Sequence, residues 1–80
     1  MKLRNFIACL DQAKRNLQKQ CVDNGFTIDL LEISENADIC LLHEKYLQIT
    51  YATDDYQTYI IAEMDGDKLT FIEVEFQEYE

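Results

Sequence analysis

Thr58-Tyr59-Ile60-Ile61-Ala62-Glu63-Met64, then Asp65-Gly66-Asp67, then Leu69-Thr70-Phe71-Ile72-Glu73-Val74-Glu75-Phe76-Gln77-Glu78 is the stretch that decides the fold. The first segment is rich in β-formers, and Asp65-Gly66 is a good hairpin turn. The last segment has a two-residue period: Thr70, Ile72, Val74 and Phe76 share one side, and Glu73 and Glu75 project from the other. A three-residue loop, Asp65 to Asp67, sets Ile60, Ala62 and Met64 beside that apolar set. A two-residue loop sets Glu63 opposite Lys68 and brings Tyr59 and Ile61 inward. The first is expected, because it continues one buried face.

Upstream, Tyr46 to Ala52 also alternates, with Leu47, Ile49 and Tyr51 on one side and Tyr46, Gln48 and Thr50 on the other. Thr53-Asp54-Asp55-Tyr56 connects the two segments as a turn. Asp38-Ile39-Cys40-Leu41-Leu42 is expected to be a strand, hairpinned to an earlier one at Phe26-Thr27-Ile28-Asp29-Leu30, with Ser34-Glu35-Asn36 as the turn between them. A short helix capped by Ser34, with Ile39, Leu42 and Tyr46 facing the core, is the alternative for residues 37–45.

The N-terminal third has a different period. Leu3, Phe6, Ile7, Leu10, Ala13, Leu17 and Cys21 recur at steps of three and four, a stripe about 120° wide on a helix. Asn24-Gly25 supplies the stop, since glycine takes the left-handed conformation after a helix without steric cost. The fold class predicted is α+β. One N-terminal amphipathic helix, about residues 2–23, packs on one face of a four- or five-stranded, mostly antiparallel sheet, about 26–79. Residues 1–80 form a single domain without internal repeats.

Composition bounds the function. With 48% apolar residues the chain has ordinary globular content despite a net charge of −9. No apolar run approaches the ~20 residues that span a bilayer, or the roughly 7–15 of a signal-peptide core. A cytoplasmic protein without membrane contact is expected. Cys9, Cys21 and Cys40 are too far apart to suggest a disulfide framework.

Catalytic and metal signatures are weak. Cys40-x-x-His43 is half a zinc site with no second pair to complete it. Asp65-Gly66-Asp67 lacks the ligand order of a calcium loop, and there is no glycine-rich phosphate loop. Abundant carboxylates alone do not nominate a catalytic couple. The expectation is no enzyme, no metal and no cofactor.

The charge is divided unevenly. Residues 1–20 carry Lys2, Arg4, Lys14, Arg15 and Lys19 against Asp11, whereas residues 21–80 carry fifteen acids against Lys45 and Lys68. Acids on a solvent-facing sheet keep its edges from pairing, and a basic helix offsets an acidic sheet, so part of this split is structural. The sharper reading is an acidic binding surface. Glu73 and Glu75 lie about 6.6–6.8 Å apart on one strand face. Glu63, Asp54, Asp55, Asp65 and Asp67 add to their field. Tyrosine buries much area while keeping a polar handle, which suits interfaces; Tyr46, Tyr59 and Tyr79 are the candidates for an exposed patch. Direct nucleic-acid binding by the basic helix stripe is disfavoured by long-range repulsion.

In size, acidity and layout the chain resembles the small inhibitors that phages and mobile elements direct at restriction or CRISPR complexes. The likeness is one of type across the whole chain and rests on no shared motif. The expectation is a non-enzymatic protein-binding domain whose partner is a basic protein, a nucleic-acid-binding protein or complex, blocked by a mimic of the phosphate backbone. An immunity protein or antitoxin capping a basic toxin is the alternative. A self-associating structural or regulatory subunit, such as a homodimer, is the third class.

Overall fold

Leu3–Asp23 forms helix α1 in the computed structural model, which describes residues 2–80. A Schellman closure ends it. The N–H of Gly25 (φ +91°) donates to Val22 C=O at 3.0 Å, and the N–H of Phe26 donates to Cys21 C=O at 2.9 Å. Cys9, Ala13, Leu17 and Cys21 are the buried positions of its stripe.

The chain departs from the sequence reading immediately afterwards. Phe26–Leu30 is not a strand. Residues 26–29 run without regular structure, and Leu30–Asn36 forms a second helix, α2. The sheet therefore begins at Asp38 rather than near 26, and Ser34-Glu35-Asn36 is the end of α2 rather than a turn. Asp29 is the reason. Its carboxylate accepts the backbone N–H of Glu32 at 2.8 Å, which satisfies one of the donors a helix start leaves open. Leu30 and Ile33 then fall three residues apart, and Ile33 is fully buried against the core.

Four strands follow in sequence order: β1 (Asp38–Leu42), β2 (Tyr46–Ala52), β3 (Tyr56–Asp65) and β4 (Lys68–Glu78). They form one antiparallel meander, β1-β2-β3-β4. The strand reading of Asp38–Leu42 holds, as does the α+β class with α1 lying on one face of the sheet.

The last hairpin is closed differently from expectation. Asp65 pairs with Lys68, leaving a two-residue loop, Gly66-Asp67, and Gly66 has φ +62°. Positive φ at the first loop residue alone fits a II′ turn, whose twist matches that of the strands. Ile60, Ala62 and Met64 nevertheless face α1, as the three-residue loop was invoked to achieve. A β-bulge reconciles the two. Ala62 pairs with Phe71 but Ile61 with Glu73, so Ile72 is an extra residue on β4. Leu69 and Phe71 lie on the helix side before the bulge, and Val74 and Phe76 after it. Ile72 and Thr70 therefore do not share a face with Val74 and Phe76; both are exposed.

The core lies between α1, α2 and the sheet. Leu17, Ile33, Leu47, Ile49 and Ile60 are its largest fully buried side chains, joined by Tyr51 and Tyr56. Phe26, Tyr56 and Phe76 stack at one end, with centroid separations of 4.3 Å (Phe26–Tyr56) and 5.0 Å (Tyr56–Phe76). Thr58 is buried among them, and its hydroxyl donates to Glu75 C=O at 2.7 Å. No helix among the described residues is long and apolar enough to cross a membrane.

Candidate partner-binding face

Strand parity assigns each side chain to the helix-covered face or to the open one. Opposite α1 and α2, the open face carries Asp38, Cys40 and Leu42 from β1 and Tyr46, Gln48 and Thr50 from β2. Beside them stand Tyr59, Ile61 and Glu63 from β3, then Thr70, Glu73 and Glu75 from β4. The bulge places both glutamates here, because without the extra residue Glu73 would fall in phase with Phe71 on the covered face.

Six of the ten predicted contact residues share this face: Tyr46, Tyr59, Glu63, Glu73, Glu75 and, at the end of β3 opposite Lys68, Asp65. Tyr59 pairs with Glu75 across the ladder, and its hydroxyl reaches diagonally to donate to Glu73 Oε1 at 2.6 Å. That hydrogen bond, ahead of partial desolvation, raises the Tyr59 phenol well above the ordinary tyrosine range. Tyr46 pairs with Glu63, and Lys45 Nζ sits 3.1 Å from Glu63 Oε1 and 5.6 Å from the Tyr46 ring centroid. Glu63 raises the Lys45 ammonium in turn, first through the hydrogen bond. The acidity is thus graded: Glu63 is offset by Lys45, whereas Glu73 and Glu75 at the β4 edge have no cation paired with them among the described residues.

The other four lie elsewhere. Asp54 and Asp55 occupy the β2–β3 turn, and Asp67 lies in the β3–β4 turn. The ten residues of β3 separate these two ends by about 30 Å. Asp67 C=O accepts from Gln12 Nε2 at 2.5 Å, so that turn is tied to α1. Tyr79 follows β4 beside Asp55, its N–H donating to Asp55 C=O at 2.8 Å and its hydroxyl to Gln57 Oε1 at 3.3 Å. Tyr51 and Tyr56, the two tyrosines left out of the predicted patch, are core residues.

A second acidic feature escaped the sequence reading. A hollow of about 440 Å³ opens between α2 and the β2–β3 turn, with Asp29, Glu32, Glu35 and Asp55 around an aromatic floor of Phe26 and Tyr51. Tyr51 OH donates to Glu32 Oε1 at 3.0 Å. Reading Phe26–Leu30 as a strand scattered these acids. The signal that gathers them is Asp29-x-x-Glu32 ahead of Ile33, the pattern of a helix start. Cys40 lies on the open face of β1 and His43 in the turn after it. Among the described residues, no group of three or more His, Cys, Asp or Glu side chains is placed to hold a metal ion.

No protein-family model, curated protein or solved structure matches this chain.

Proposed function

We propose that this chain is a non-enzymatic protein-binding domain that blocks a basic, nucleic-acid-handling partner with the β4 side of its open sheet face. The observation that carries this reading is the cluster of Tyr59, Glu73 and Glu75, two carboxylates without paired cations among the described residues, around an aromatic ring. Such a surface is attracted to a basic groove at long range and holds it by aromatic contact at short range. Successive carboxylates along β4 repeat at about twice the 3.4 Å phosphate rise of one DNA strand. Mimicry of a phosphate backbone is therefore partial, with Glu63 one strand away and shared with Lys45. An immunity protein or antitoxin capping a basic toxin uses the same chemistry on a different partner.

The test is affinity capture from nuclease-treated lysate, comparing the wild-type chain with the double charge reversal Glu73→Lys/Glu75→Lys and eluting in steps of salt. A basic nucleic-acid-handling protein held by the wild type, released at moderate salt and lost with the variant, is the expected result. A partner retained equally by both chains would overturn the assignment of this face.

A further inference from the structure

The two edges of the sheet are finished in opposite ways. β4 has Lys68, Glu73, Glu75 and Glu78 along it and the bulge at Ile72, all devices that discourage a further strand. β1 reads Asp-Ile-Cys-Leu-Leu, with one charge, no bulge and no proline, and all five residues are exposed. Ile39 and Leu41 face the helix side, since they pair with buried Ile49 and Leu47, yet remain 43% and 49% exposed. Helix α1 packs on β4, β3 and β2 and leaves β1 uncovered. Gln12, Arg15, Asn16 and Lys19 flank Phe71 on the β4 side of α1. At 100° per residue Leu3 and Ile7 fall on the opposite flank, towards β1, and both are exposed.

We propose that β1 is the interface of a two-fold homodimer, pairing antiparallel with β1 of a second copy about Cys40. Backbone parity fixes this register. Leu42 C=O accepts from Lys45 N–H within the β1–β2 turn, and Lys45 C=O accepts from Met64 N–H on β3. Even-numbered residues of β1 therefore direct their backbone groups at β2, and Ile39 and Leu41 direct theirs outward. A pairing centred on Cys40 uses these free groups: Ile39 meets the second copy's Leu41 as a hydrogen-bonded pair, twice by symmetry. On the helix side the same four side chains form one apolar strip. On the open face Cys40 meets its own copy, and Asp38 lies opposite the second copy's Leu42, so no carboxylate confronts another across the paired strands.

Two chains of net charge −9 repel each other, and the repulsion is least at this edge. β4 lies three strand spacings from β1, about 14 Å and beyond the ~8 Å screening length at physiological salt. In the eight-stranded dimer the two β4 strands stand at the outer edges, about 33 Å apart. Their glutamates remain free for the function proposed above, on which this dimer does not depend. Five-residue edges bury less than the ~800 Å² per partner of a standard interface, so the dimer forms with increasing concentration.

Sedimentation velocity from about 5 µM to about 1 mM, under reducing conditions, is expected to move from monomer to dimer. Leu41→Lys, at a half-exposed position, is expected to keep the circular dichroism of the wild type and to remain monomeric. Leu41→Pro is the second variant, since it removes an outward N–H that β2 does not use. Diamide, taking two electrons and two protons from two thiols, reports the register. A non-hydrogen-bonded pair sets Cys40 and its copy about 4.5 Å apart at Cα, within disulfide range, while Cys9 and Cys21 are buried. Wild type is expected to cross-link through Cys40, Leu41→Lys much more slowly, and Cys40→Ser not at all. A monomer at every concentration, a dimer indifferent to both Leu41 variants, or a dimer that diamide leaves uncross-linked would each overturn the proposal.

Discussion

On the covered face of the sheet Tyr51 and Tyr56 are each 4% exposed and built into the core, Tyr56 against Phe26 and Phe76. On the open face Tyr46 and Tyr59 lie half-buried among carboxylates, Tyr59 donating to Glu73 and Tyr46 beside Lys45 and Glu63. The four residues are of one type and sit on two neighbouring strands. Parity alone separates them, so neither tyrosine content nor net charge identifies a binding surface until the register is known.

The most direct way to break this comparison is to truncate neighbours on opposite faces. Ile60 is fully buried beneath α1, and Ile61 is half-buried on the open side. Ile60→Ala is expected to cost about 2–5 kcal/mol through lost burial and the cavity left behind. Ile61→Ala should cost about 1 kcal/mol or less, because little packs over it. Urea unfolding of the two variants measures both. Equal losses would mean that the open face is covered by something equivalent to a helix.

That test also marks how far sequence reading reached. The three-to-four spacing from Leu3 to Cys21 located α1, and the glycine at 25 stopped it, because both signals are local. Alternation placed Ile60, Ala62 and Met64 inward correctly. Phe26–Leu30 failed because five alternating residues look alike in a strand and in an extended segment leading to a helix, and the cap at Asp29 decides between them. The bulge at Ile72 was missed for another reason. One extra residue puts Leu69 and Phe71 in phase with Val74 and Phe76, and the only trace of it in the sequence is the adjacent apolar pair Phe71-Ile72, where the alternation breaks. Six of the ten residues of the predicted patch share one face because Glu63, Asp65, Glu73, Glu75, Tyr46 and Tyr59 lie within strands, where parity governs. Asp54, Asp55 and Asp67 were placed by topology, which sets the two ends of β3 far apart.

Alkaline titration sharpens the contrast by cause. Burial first, and then Glu32, raises Tyr51 from 10.0 to about 12, and burial raises Tyr56 as well. Tyr59 is raised first by its hydrogen bond to Glu73. A phenol whose folded pKa lies above its unfolded value contributes its full stability below the unfolded pKa of about 10. For Tyr51 that contribution is lost as pH rises from 10 to about 12, where the unfolded chain releases the proton and the folded one keeps it. Urea midpoints are therefore expected to fall across this window. In Glu73→Gln, phenolate absorbance should show Tyr59 ionising at lower pH than in the wild type, with Tyr51 and Tyr56 still raised. An unchanged titration curve in that variant would detach Tyr59 from Glu73.

The smallest expected effect comes from removing single hydroxyls. Tyr51→Phe deletes a 3.0 Å hydrogen bond to Glu32 at the edge of the core and leaves that carboxylate without its donor, at a cost of about 1 kcal/mol. Tyr59→Phe deletes a shorter bond, 2.6 Å, but to a carboxylate that water solvates readily once released. Its unfolding midpoint should be indistinguishable from wild type. Bond length and stability then run in opposite order, because the loss is set by what replaces the partner rather than by how close the partner was. If Tyr59→Phe instead proves the more destabilising of the two, the open face contributes to folding, and its glutamates belong to the stability of the sheet rather than to a binding surface.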